Sequence, residues 1–76
     1  MNNLQINLFF ENIGYKLYVL RHSRREKISC VADYLGVSSA TVSLIENGRY
    51  RSLSLILLLK IAEYYNVELS FLISKD

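Results

Sequence analysis

Three stops divide this sequence more firmly than any other feature in it. Gly36, the pair Asn47-Gly48, and Asn66 are residue types that accept left-handed backbone at a helix end. Each follows a run of apolar residues at helical spacing. The chain has no proline and only three glycines, too few turn residues for a many-stranded sandwich. The expected fold is therefore all-α: five short helices in 76 residues, closed into one compact domain over residues 1–76.

The first helix is predicted from about Asn7 to Ser23, where Phe9, Ile13, Leu17 and Leu20 recur at helical spacing. The preceding "LQINLFF" either extends that helix or alternates as a strand that joins a partner, so residues 1–8 are set apart as an N-terminal extension. A second stripe, Ile28, Val31, Ala32 and Leu35, ends at Gly36. Its start has two readings. Ser23-Arg-Arg-Glu26 has the form of a capping box. A loop over residues 24–27 with a weak cap at Lys27 is preferred, because Ile28 then opens the apolar stripe. Ser38 caps a third helix that runs to Glu46, and Ser54 caps a fourth to about Tyr65. "VELSFLIS" supplies a short fifth.

Several function classes are disfavoured. The single Cys30 cannot form an internal disulfide, which points to a reducing, cytosolic setting. Cys30 and the one histidine, His22, make a poor case for a thiol enzyme. No paired acids stand at a useful spacing and no glycine-rich phosphate loop exists, so neither an enzyme, a metal site nor a cofactor is expected. No apolar run reaches the roughly 18 residues of a membrane span. The opening residues lack the basic segment of a signal peptide.

The net charge of +2 is modest but unevenly placed. Lys16, Arg21, Arg24, Arg25 and Lys27 crowd into twelve residues against Glu26 alone, and Arg49 with Arg51 forms a second group. Brought together, these make a phosphate-facing edge. Kept apart, they are solvated surface, with Arg24 and Arg25 complementing a helix C-terminus.

The third helix carries the functional signal. Advancing about 100° per residue puts Thr41, Val42 and Ile45 on one side and Ser39, Ala40, Ser43, Leu44 and Asn47 on the other. The first set suits a core. The second is a narrow face of small residues on a short helix behind a tight turn, the arrangement that enters a DNA major groove. Ser38 at the helix N-terminus lies where open amides meet a phosphate.

These residues carry a resemblance. "VADYLGVSSATVSLIENGR" followed by "SLILLLKIAEYYNVELSFL" resembles the phage-repressor-like helix-turn-helix family of the Cro/C1, or XRE, type. The likeness runs from about Ile13 to Ile73 and rests on Ala32, Gly36-Val37-Ser38, Val42 and Ile45-Glu46-Asn47-Gly48 in combination. It implies a five-helix lambda-repressor-like domain with the second helix over the DNA backbone and the third in the groove. It implies an Arg21–Glu46 ion pair, and phosphate contacts from Asn47, Arg49 and Arg51. It further implies a transcriptional regulator of bacterial or phage type, cytoplasmic and associated with the nucleoid. An antitoxin or anti-repressor that holds a protein partner on the same fold is the alternative.

The chain departs from that pattern. "KISC" replaces the usual Gln- or Glu-rich start of the second helix, leaving Lys27 or Ser29 to make the phosphate contact there. "RYRSL" lacks the frequent proline and is one residue longer than usual. The groove face has no long bidentate donor, so direct reading of bases is thin, and phosphates and DNA shape carry more of the binding.

The fourth helix is apolar on both sides: Leu58, Leu59, Ala62 and Tyr65 on one, Ile56, Leu57 and Tyr64 with Lys60 on the other. Tyr15, Tyr18 and Val19 likewise lie off the core stripe of the first helix. This excess predicts a homodimer, with Ile56, Leu57, Tyr64 and Phe71 as the interface and the N-terminal segment as the rival surface.

Overall fold

The computed structural model describes residues 1–75. Among these, five helices and no strand are present: α1 (Asn3–Ser23), α2 (Ile28–Leu35), α3 (Ser39–Glu46), α4 (Leu55–Tyr65) and α5 (Leu69–Ile73). The ambiguous N-terminal segment is helical. Asn2 and Gln5 form a reciprocal capping box, each side chain bonding the other's backbone amide at 2.8 Å, so α1 starts at Asn3, before the start near Asn7 that its apolar stripe predicts.

The loop reading of residues 24–27 holds. Lys27 precedes α2 without a side-chain cap, and Ser23 donates back to the Leu20 carbonyl instead of capping forward. Ser38 and Ser54 accept from Thr41 and Leu57 amides at 3.0 and 3.1 Å and so start α3 and α4.

Four helices close in one way. A left-handed residue follows the helix, and the next amide reaches back to a carbonyl of the last turn. The left-handed residues are Arg25, Gly36, Gly48 and Asn66. The closing bonds run from Glu26 to Arg21, Val37 to Ala32, Arg49 to Leu44, and Val67 to Ala62, at 2.9–3.1 Å. Three of these stops are the ones marked in the sequence. Arg25 is the fourth, and a side chain with a Cβ and no short polar group to bond its own backbone has no special liking for that conformation.

The core takes Ile13 and Leu17 from α1, Val31, Ala32 and Leu35 from α2, and Val42 and Ile45 from α3. Leu72 of α5 plugs the base. The buried stripe of α4 is Leu58, Ile61, Ala62 and Tyr65. This corrects the sequence reading at two positions: Leu59 is 48% exposed, and Ile61, left out of that reading, is fully buried. The i, i+3, i+4, i+7 rule selects Ile61 once Leu58 is taken as the anchor. Phe9, Leu20 and Ile28 pack at the edge of this core.

Contact between α1 and α3 depends on two glycines. A Cβ on Gly14 would lie 2.3 Å from the Ile45 carbonyl oxygen and 2.6 Å from that of Glu46. A Cβ on Gly48 would lie 2.8 Å from the Glu11 Cα. Backbone therefore runs against backbone, and α1 sets the position of the end of α3.

Candidate nucleic-acid interface

α2 and α3 are inclined at 104° and joined by the three residues Gly36, Val37 and Ser38. Val42 and Ile45 hold α3 from beneath, and Thr41 is half-buried with its hydroxyl on Ser38 at 2.9 Å. Ser39, Ala40, Leu44 and Asn47 are exposed and Ser43 is half-buried. The two sides drawn from the sequence are the two sides observed, with Ser43 set deepest of the outward residues. The cap on Thr41 leaves the Ser39 and Ala40 amides without an intrahelical partner, pointing out from the helix start.

The far end of α3 is clamped. Arg21 donates from Nε to Glu46 Oε2 at 2.7 Å and from Nη2 to Oε1 at 3.0 Å, with side chains only 11% and 6% exposed. Its Nη1 donates to the Glu26 carbonyl at 2.9 Å, so one guanidinium ties α1, the α1–α2 loop and α3 together. The Glu46 carboxylate holds the Arg21 guanidinium above its ordinary value, against the opposing effect of burial. Asn47 and Arg49 follow directly and are exposed.

The basic residues divide by task. Lys16 donates to the Phe71 and Ser74 carbonyls and to the Ser74 hydroxyl at 2.7–2.9 Å, fastening the end of α5 to α1. Arg24 donates to the Tyr64 carbonyl at 3.0 Å and lies over the Tyr65 ring, closing the end of α4. A helix C-terminus is complemented, as one reading of the run allowed, but it is that of α4 and not of α1. Lys16, Arg21 and Arg24 of the first basic group are thus each engaged within the fold. Arg25, Lys27 and Arg49 are exposed, with Ser29 exposed beside Lys27. Arg51 is held by Asn7 of α1 and stacks over Phe10 at 4.8 Å.

The expected dimer residues do not share one environment. Ile56 is 69% exposed and Phe71 is exposed against Lys16. Leu57 packs partly into the core. Tyr64 stacks on Tyr34 at 4.7 Å and donates its hydroxyl to Glu26, which pushes the phenol up to about 12.

The helix-turn-helix family model (HTH_3) matches residues 29–72, more than half of the chain, from the first turn of α2 to the last turn of α5. The chain belongs to the helix-turn-helix family. Within it the match is of the Cro/C1, or XRE, type, which makes this protein a DNA-binding regulator of that type. No curated protein and no solved structure matches the chain. The matched span contains the turn, the α3 face and the Asn47-Gly48 stop, while α1, including Arg21, lies outside it. No single helix of the described residues is long and apolar enough to cross a membrane.

Sequence reasoning passed over Gly14 and the Arg51–Asn7 contact. Gly14 left a signal: a lone glycine inside a helical run costs about 1 kcal/mol against alanine and marks a close approach. Arg51 left none, because its partner lies 44 positions away.

Proposed function

We propose that this helix-turn-helix protein is a sequence-specific regulator of transcription that binds double-stranded DNA as a homodimer on an approximately palindromic operator. α3 enters the major groove with Ser39, Ala40, Ser43 and Leu44 toward the bases. The observation that carries this reading is the exposed small-residue face of α3, held rigid from behind by Gly14 and at its end by the Arg21–Glu46 clamp. A helix fixed on both counts loses little freedom on docking, which favours affinity.

Lys27, Ser29, Ser38, Asn47 and Arg49 grip phosphates on either side of the groove. Ser38 remains a donor while its oxygen caps α3. Arg51 joins them only by leaving Asn7 and Phe10, so it contributes less than Arg49. The bases are read weakly. Serine hydroxyls serve either as donor or as acceptor, and Ala40 and Leu44 offer contact to thymine methyls. Two copies make up for this, since a dimer filters sites by the ~34 Å between half-sites as well as by their bases.

Selection from random duplex DNA, with the mass of the selected complex measured, tests the proposal. Enrichment of a two-fold symmetric site bound by two chains is expected. Enrichment of nothing above the starting pool would overturn the regulator reading.

A further inference from the structure

α1 is longer than its core needs. Its buried residues are Ile13, Gly14, Leu17 and Arg21, yet the capping box starts the helix at Asn3, about three turns before Ile13. One side of those early turns meets the loop between α3 and α4. Asn7, Phe10 and Glu11 share that side, at i, i+3 and i+4. The Asn7 side-chain oxygen accepts from Arg51 Nη2, and the Phe10 ring lies under the same guanidinium at 4.8 Å. Glu11 packs so closely on Gly48 that a Cβ there would fall 2.9 Å from the Glu11 Cγ.

The loop carries Arg49. No proline stiffens residues 49–54, and Tyr50 and Leu53 reach only the edge of the core. Arg51 stands between those two on the surface. Its planar guanidinium suits what α1 offers, a ring face with one acceptor beside it. Gly48 is thus fixed on one side of Arg49, and Arg51 on the other. Arg49 itself is exposed, and its amide closes α3 on the Leu44 carbonyl at 2.9 Å.

We propose that Asn7, Phe10 and Arg51 are positioning residues for DNA binding: the early turns of α1 hold the α3–α4 loop so that Arg49 meets a phosphate already in place. This rests on the phosphate role given to Arg49 above. Arg51 acts through Arg49 and stays on α1 in the complex. A loop fixed beforehand loses less freedom on docking than a free one, and the difference appears as affinity. The number of phosphates neutralised is the same with or without the clip, so the salt dependence of binding is the same. Loss of a cation that itself touches phosphate does otherwise and flattens the salt slope.

Two measurements test this, with circular dichroism confirming the helix content of each variant. The first needs no DNA. Amide nitrogen relaxation of the free protein should show residues 49–51 as rigid as the helices. Asn7→Ala and Phe10→Leu should make them mobile, and Phe10→Tyr, which keeps the ring, should not. A wild-type loop that is already mobile, or a loop that stays rigid in both Asn7→Ala and Phe10→Leu, would overturn the clip. The second is a double-mutant cycle on affinity for mixed-sequence duplex DNA over a range of salt. Phe10→Leu should weaken binding about two- to tenfold with the salt slope unchanged, and should have no effect once Arg49→Ala is present. Phe10→Tyr should bind as wild type does. Equal losses in the two backgrounds would refute a role through Arg49. Tighter binding by Asn7→Ala or Phe10→Leu, with a steeper slope, would assign the freed Arg51 to phosphate and refute the positioning role. Wild type that leaves duplex DNA unbound would instead overturn the DNA-binding reading and with it the role of Arg49, a failure distinct from that of the clip, which the relaxation measurement reads alone.

Discussion

Arg21 and Glu46 are 25 positions apart and meet through two parallel hydrogen bonds at 2.7 and 3.0 Å. The pair joins an α1 residue outside the matched family span to the last residue of α3. Glu46→Gln keeps the shape and removes the charge, leaving a largely buried guanidinium with a neutral neighbour. Breaking a buried pair this way costs about 3–5 kcal/mol, and the slight exposure here favours the lower end. For a domain of this size that lowers Tm by on the order of 10–20 °C. Thermal unfolding by circular dichroism reads it, and a variant melting with the wild type would contradict the clamp.

Gly14 makes the second test of how α3 is held. Gly14→Ala should gain about 1 kcal/mol of helix propensity. It also drives a methyl group into the Ile45 and Glu46 carbonyls, which are backbone and cannot turn aside. Overpacking costs about 1–3 kcal/mol, and a contact against backbone lies at the upper end. Net destabilisation is expected in urea unfolding, with weaker DNA binding because the end of α3 is displaced. A variant more stable than wild type would show that α1 and α3 separate easily.

The helices were legible in the sequence because their ends are local. Ser38, Ser54, Gly36, Gly48 and Asn66 act within one turn of themselves, and each does in the structure what its type favours. Arg25 was not legible, because its left-handed backbone is fixed by the Glu26–Arg21 closing bond and by the Arg21 side chain reaching the Glu26 carbonyl. The exposed side of α3 followed from periodicity alone. The fate of the basic run did not, because Lys16 and Arg24 find carbonyls on α5 and α4 that are neighbours only after folding. A charge run in sequence fixes how many cations there are and leaves open which of them are consumed inside.

Tyr64 offers a test at high pH. Its hydroxyl donates to Glu26, and its folded value near 12 lies above the ordinary tyrosine value of 10.0. The raised value means the stabilisation is complete below pH 10 and is lost as pH rises through about 12. Burial pushes Tyr65 up as well, so both phenols should ionise late in an ultraviolet titration. Tyr64→Phe should remove one late-titrating phenol and destabilise the protein by about 1–3 kcal/mol, through the carboxylate left without its donor. A titration in which Tyr64→Phe removes an early phenol would contradict the contact.

Arg49 and Arg51 separate by salt dependence. Arg49→Ala should flatten the slope of log affinity against log salt by about 0.9, the loss of one phosphate contact, and weaken binding to all sequences alike. Arg51→Ala should change the slope less, because Arg51 is engaged with Asn7 and Phe10. Equal changes would mean that Arg51 leaves α1 when DNA binds.

The central claim is that α3 reads bases through Ser39, Ser43 and Leu44. The most direct measurement is the affinity of wild type, Ser39→Ala, Ser43→Ala and Leu44→Ala for the selected site and for each single-base variant of it. A good bidentate contact is worth about 1–3 kcal/mol of discrimination, and a single hydroxyl or apolar contact should fall at or below the low end of that range. Each substitution should therefore erase preference at one or two base pairs per half-site, placed symmetrically, while the fold and the salt slope stay as in wild type. Profiles identical to wild type for all three variants would contradict a reading role for α3.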